Sequence, residues 1–228
     1  MDNVIQAWNT AARSYAEAAE ISQYARFCRK FVTQYFSNVN KLKILDAGCG
    51  SGEYTHILSQ NGAAVTGCDA ASEMLRIARE KYPAYSYDEV NLTEPLPYED
   101  DSFDLVFCHL VLMDIDPIDT AISEFYRITK EQGRFFFSIV HPAFYRGEWE
   151  VDEQGRAVSK KVPAYISLAA TEQNFWGTTM HYHRPISYYF NQMTNKGFIL
   201  KEMLEPKVYE EAKIPDMPLY LFAEFQKG

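Results

Sequence analysis

One short apolar segment that runs straight into a string of glycines constrains this chain more than anything else in it. Residues 41–47 carry Leu42, Ile44 and Leu45, a length and pattern that read as a strand, and Gly48-Cys49-Gly50-Ser51-Gly52 follows at once. Glycines directly after a strand let the backbone turn sharply and approach a ligand with no Cβ in the way. Tyr54, Ile57 and Leu58 then mark one face of a helix that Asn61-Gly62 closes. The start of such a helix presents free N–H groups and the positive end of its dipole, so strand, turn and helix together form a seat for a polar ligand.

The same unit repeats downstream. Residues 63–68 read as a strand, Ser72 as the cap of a helix through residue 80 that buries Met74, Leu75 and Ala78, and residues 84–90 as a third strand. After Pro95 and Pro97, residues 103–110 form the near-continuous apolar run expected of a parallel strand buried on both faces. Asp116-Pro117 reads as cap and first-turn proline of a helix carrying Ile118, Ala121, Ile122, Phe125 and Ile128; Gly133 ends it, and residues 134–140 are a fifth strand.

Strands alternating with helices across short joints predict an α/β fold, a mostly parallel sheet with helices on both faces, within one domain over residues 1–228. Ahead of the core at 41–140, residues 1–40 read as a cap of two helices. Val4, Ala7, Trp8, Ala11 and Ala12 recur at helical spacing in the first, and Tyr24, Phe27, Phe31 and Tyr35 in the second. Periodicity fails over 141–185, which is expected to be an irregular, aromatic lid. A helix over 186–196, stopped by Gly197, and strands at 198–204 and 219–225 complete the chain.

At 228 residues the chain closes a core without disulfides or metals. Its net charge of −9 repels polyanions and anionic membranes, and basic residues meet only in pairs such as Arg29-Lys30 and Lys160-Lys161. Neither nucleic acid nor a membrane is therefore an expected partner, and a monomer or homodimer is expected. No apolar stretch approaches the ~20 residues that span a bilayer, and residues 1–20 lack the pattern of a signal peptide. Cys28, Cys49, Cys68 and Cys108 lie far apart in apolar contexts, as free buried thiols of a cytoplasmic protein would.

Asp69, at the end of the second strand, stands where an acidic residue meets ribose hydroxyls. The glycines, however, are spaced G-x-G-x-G, and Glu53 falls where a dinucleotide fingerprint has its last glycine. A carboxylate there repels a pyrophosphate, whereas Asp46 suits a ligand with an ammonium group. A nucleoside with an amino-acid tail fits better than a dinucleotide. A nicotinamide-dependent dehydrogenase and a regulatory protein that binds the cofactor without transferring anything stay open as alternatives, as does a relative using a modified cofactor.

Ile44-Leu45-Asp46-Ala47-Gly48-Cys49-Gly50-Ser51-Gly52 resembles the signature of the class I S-adenosylmethionine-dependent methyltransferases. Val65-Thr66-Gly67-Cys68-Asp69 with Met74-Leu75, Asn91-Leu92-Thr93 with Leu96-Pro97, Ser102-Phe103-Asp104-Leu105-Val106 and Glu131-Gln132-Gly133-Arg134-Phe135 are similar to that family's later motifs, in register over 41–140. His183-Arg184-Pro185 through Glu205-Pro206 resembles bacterial members acting on small molecules, which implies a small-molecule acceptor as partner. The resemblance implies a Rossmann-like sheet of seven strands, the last antiparallel, and S-adenosyl-L-methionine as cofactor. It assigns Asp46, Ala47, Gly48, Cys49 and Gly50 to the methionine tail, Asp69 with Ala70 to the ribose, and Met74, Asn91 and Leu92 to the adenine. Asn91 stands where the family often has aspartate. His109 and Leu110 fall on the methionine side.

The family has no universal catalytic residue. Trp8-Asn9-Thr10-Ala11-Ala12-Arg13-Ser14-Tyr15 is similar to a W-x-x-x-A-x-x-Y pattern of small-molecule members, in which the tyrosine covers cofactor or acceptor. Tyr15 and His141, which follows the fifth strand, are the candidates for orienting the acceptor, and His141 could take its proton. His56 reads as a surface residue. His181 and His183 would face the same way on a strand, but two histidines are too few for a metal, and none is expected. The lid aromatics suit an apolar or planar acceptor.

Overall fold

The computed structural model describes residues 2–162, 164–207 and 217–228. Two helices, α1 (Asp2–Ile21) and α2 (Gln23–Tyr35), precede an alternating series: β1 (Lys43–Ala47), α3 (Glu53–Gln60), β2 (Ala64–Asp69), α4 (Ser72–Lys81), β3 (Ser86–Glu89), β4 (Phe103–His109), α5 (Asp119–Ile128) and β5 (Thr129–Val140). Then come α6 (Pro142–Tyr145), β6 (Glu148–Val151), β7 (Ala157–Lys161), β8 (Ala169–Gln173), β9 (Thr179–His183), α7 (Ile186–Lys196), β10 (Phe198–Leu204) and β11 (Tyr220–Lys227). The main sheet has seven strands in the order β10-β11-β5-β4-β1-β2-β3. Strands β1 to β5 pair in parallel, and β11 runs antiparallel between β5 and β10. This is the Rossmann-like sheet that the motifs imply.

Side chains alternate across the sheet, and both faces are covered, so the central strands have no polar side to show. Phe135 and Phe137 enter the layer of α5 and α7, while Phe136 between them enters the layer of α2 and α3; Leu105 and Phe107 oppose Val106 and Cys108 in the same way. On α2, Phe27, Phe31 and Tyr35 recur one turn apart and lie against Tyr220, Phe222 and Phe136, with the rings of Phe31 and Phe222 4.2 Å apart. Among the described residues no helix is long and apolar enough to cross a membrane, and all four cysteines are free and buried.

Four local expectations need correction. The stretch after β5 is not irregular: it forms two antiparallel hairpins, β6–β7 and β8–β9. Asp116-Pro117 does not open α5, which starts at Asp119; the Asp116 carboxylate accepts from Arg184 at 2.6 Å instead of capping. Gly133 does not end that helix, because the chain already turns extended at Thr129. Gly133 sits in β5, where a Cβ would meet the Lys130 carbonyl oxygen at 2.7 Å and where the register with β4 slips. Ser72 does not cap α4. Asn9 of α1 does so from across the fold, its Oδ1 accepting from Glu73 N at 2.9 Å.

Candidate active site

The glycine turn is tied down before any ligand arrives. Gly48 N and Cys49 N both donate to Cys68 O, at 2.8 and 2.9 Å, which locks the end of β1 to β2. Gly48 has φ +75° and Gly50 φ +51°, in the left-handed region that glycine enters without strain. A Cβ on Gly48 would lie 2.4 Å from Val111 Cγ2, whereas one on Gly50 would find nothing nearer than Met74 Sδ at 3.9 Å. Gly48 is thus held by packing, and Gly50 faces open space. Asp69 braces the turn: its Oδ2 accepts from Gly50 N at 2.9 Å and its Oδ1 from Ala71 N at 2.8 Å. Burial raises the Asp69 pKa while these amides pull it down. A carboxylate accepts about four hydrogen bonds, so capacity for two hydroxyls remains.

A pocket opens at the carboxyl ends of β1, β2 and β4, the place where sheets of this kind take ligands. It brings together Gly48, Gly50, Asp69, Ala70, Met74, Asn91, Leu92, His109, Leu110 and Tyr15, all singled out from the sequence. Asp46, Ala47 and Cys49 do not line it. The Asp46 carboxylate is buried beneath the turn and accepts from Thr55 Oγ1 at 2.6 Å, with burial pushing its pKa up to about 7. Ala47 is in the core, and Cys49 packs with Leu75, Ala78 and Tyr87. These three support the turn from below. Asn91 spends its amide locally, accepting from Thr93 N and donating to Glu94, which leaves Leu92 to present the wall. The His109 ring is fixed by Ser138 Oγ at 2.6 Å and by Tyr54, 4.3 Å away, and burial pulls its pKa down to about 3, so it is neutral.

The opposite side of the pocket comes from α1 and from the loop after β4. Val4, Ile5 and Trp8 join Tyr15, and Val111, Asp114, Ile115 and Asp116 complete the wall. The Tyr15 ring meets Trp8 and Trp176 edge-on, at 5.6 and 5.2 Å. Burial, and next Asp114, push its phenol up to about 12. Burial likewise carries Asp114 well above the usual carboxylate range. His181 Nδ1 stands 3.9 Å from Asp114 Oδ1, and burial lowers its pKa to about 4. An acid between Met113 and Ile115, in an otherwise apolar run, was the available signal for Asp114.

His141 is not part of this wall. It caps α6, accepting from Ala143 N through Nδ1, while Nε2 lies 2.6 Å from Glu205 Oε1, so both ring nitrogens are engaged beside β10. His56 is half-buried, not a free surface residue: it stacks on Tyr82 and bonds the Tyr85 hydroxyl. His181 and His183 do share the buried face of β9, and among the described residues no three potential ligands converge on a metal position.

The β8–β9 hairpin is fastened to the loop after β4 by backbone and, just beyond β9, by one buried cation. Tyr182 N donates to Met113 O at 2.7 Å. Arg184, 3% exposed, donates to Leu112 O, Ile115 O and the Asp116 carboxylate at 2.6–2.9 Å and lies against the Tyr182, Tyr188 and Tyr189 rings.

The family model of the methyltransferase domain matches residues 45–137, the stretch from β1 into β5 that builds this turn and pocket. The chain belongs to the class I S-adenosylmethionine-dependent methyltransferases. The chain is similar to a putative S-adenosylmethionine-dependent methyltransferase from Listeria monocytogenes, with a TM-score of 0.73 and 28% identity over 84% of this chain and 93% of that one. A Mesorhizobium loti methyltransferase at 23% identity shares the fold, with a TM-score of 0.78 over 91% and 99% of the two chains. A malonyl-[acyl-carrier protein] O-methyltransferase of Erwinia pyrifoliae is 31% identical over 75% of this chain and 63% of its own length. A demethylmenaquinone methyltransferase of Streptomyces avermitilis is 33% identical over 56% and 58%. The chain spans little more than half the length of these curated relatives, 51–63% for those of the malonyl type.

Proposed function

We propose that this protein transfers the methyl group of S-adenosylmethionine to a small-molecule acceptor, and that it works in the cytoplasm. The observation that carries the reading is Asp69: it closes the glycine turn with two amides and keeps capacity for two ribose hydroxyls. The open face of Gly50 and the neutral His109 suit the amino-acid tail, and Ala70, Met74 and Leu92 suit the adenine. Glu53 in the first turn of α3, its carboxylate accepting from Tyr82, disfavours a pyrophosphate and hence a nicotinamide dinucleotide. When bound, the cofactor supplies a methyl carbon already activated by the sulfonium, so the protein's task is alignment and exclusion of water. Trp8, Tyr15 and Trp176 form the aromatic cover that excludes water, and Tyr15, neutral at physiological pH, offers a hydroxyl donor.

Calorimetry with S-adenosylhomocysteine tests this. Micromolar binding is expected, ~7–9 kcal/mol, and Asp69→Ala should weaken it by ~2–4 kcal/mol by removing two bonds to a charged acceptor. Wild-type affinity in that variant, or binding of NADH in preference, sinks the assignment.

A further inference from the structure

We propose that Asp114, which lines the pocket together with Tyr15, is its acceptor end, and that it takes a small molecule through an N–H or O–H group whose proton Asp114 removes. The inference rests on the methyl-transfer reading above. Three carboxylates line the pocket, Asp69, Asp114 and Asp116, and no lysine or arginine does so among the described residues. Two of the three are engaged, Asp69 with the amides of Gly50 and Ala71, and Asp116 with Arg184. Asp114 is different. Among the described residues its carboxylate accepts no hydrogen bond, and the ionisable group facing it, His181, stops at 3.9 Å.

A carboxylate that is largely buried, lines a pocket and has no donor is short of one. An amine or hydroxyl supplies that donor. A carboxylic acid in its ionised form finds no lysine or arginine on this wall to meet its charge, so this class of acceptor is disfavoured. Tyr15 lines the same pocket as Asp114, and its hydroxyl is the donor that complements the carboxylate in holding an acceptor there. The residues come from three separate elements, α1, the loop after β4, and β9 of the lid.

In the step itself the acceptor's nitrogen or oxygen lone pair forms the new bond to the methyl carbon. The electron pair of the breaking carbon–sulfur bond goes to sulfur, which leaves as a neutral thioether. The acceptor's proton passes to the Asp114 carboxylate and then to water. Charge and atoms balance with no further reactant.

The test presents the full chain and S-adenosylmethionine with benzylamines, phenols and phenylacetates of matched size, and reads methylated product by mass. Products from the amines or phenols, and none from the phenylacetates, are expected. With the best acceptor, Asp114→Asn should lower kcat at least about 100-fold, change KM far less, and leave S-adenosylhomocysteine affinity within a few-fold. Should that variant fail to fold, Tyr15→Phe reads the same subsite and should lower kcat/KM roughly 10-fold with cofactor affinity kept. Methylation of phenylacetates alone, of no amine or phenol, or unchanged turnover in the folded variant overturns the proposal. Failure of the wild type to bind S-adenosylhomocysteine instead overturns the methyl-transfer reading on which it stands.

Discussion

The two sides of the pocket are built by different means. On the cofactor side, the glycine turn, Asp69 and the start of α4 are short-range structures: Asp69 reaches Gly50 across 19 residues and Ala71 across two, and the pairing of β1 with β2 does the rest. On the acceptor side, Arg184 crosses 68 to 72 residues to the loop after β4, and Tyr15 meets Trp176 from the other end of the chain. Backbone conformation dominates the first and side-chain packing the second. On the proposed reading, cofactor binding falls to the rigid side and acceptor choice to the side assembled from distant pieces.

If that division holds, the largest effect belongs to Gly48. Gly48→Val forces a left-handed backbone and drives a Cβ into Val111, which should cost about 3 kcal/mol or more in stability and abolish S-adenosylhomocysteine binding. Gly50→Ala has room for its methyl and should cost only about 1 kcal/mol, from backbone strain. Thermal melting and calorimetry on both check this, and equal losses would show that packing does not govern the turn.

Next in size is Arg184→Met. It leaves the buried Leu112 carbonyl and the half-buried Ile115 carbonyl without a charged donor, for roughly 2–4 kcal/mol of stability. Cofactor affinity should stay within a few-fold, so a parallel collapse of S-adenosylhomocysteine binding would break the distinction between the two sides.

The smallest effect is a pH dependence that both sides share. His109 is held neutral with its pKa near 3, against ~6.5 unfolded, so the unfolded chain takes up a proton first as pH falls. Its stabilisation is present above about pH 6.5 and is lost below, by about 2 kcal/mol at pH 5. His181, lowered to about 4, carries the same sign from the lid, while Asp46, raised to about 7, opposes both by losing stability as pH rises from about 4 to 7. Between pH 7.5 and 5, His109→Gln should therefore lose about 2 kcal/mol less than the wild type in melting experiments. An identical pH slope would mean that His109 is charged in the folded protein.

Much of the main sheet was legible because burial on both faces writes continuous apolar runs, as in Phe103–His109. The hairpins were not, for a physical reason visible in β9. Its buried face is Thr179, His181 and His183, with Met180 and Tyr182 on the other, so the usual alternation of apolar-in and polar-out is inverted. The helix-end signals at Ser72, Asp116 and Gly133 were misread for a related reason. Each is a sound local preference overridden by a partner from elsewhere: Asn9 for α4, Arg184 for Asp116, and the β4–β5 pairing for Gly133.

What the sequence by itself determined is the backbone of the cofactor side. Glycines that alone tolerate those angles, an acid at the end of β2 and alternating strands and helices need no distant partner to be read. Which side chains face the pocket was decided by tertiary structure. Asp46 turned under to Thr55 and His141 away to Glu205, while Asp114 and His181, 67 residues apart, came to face one another. Orientation of that kind depends on how α1, the loop after β4 and the hairpins pack, and contacts across such separations leave no period in the chain.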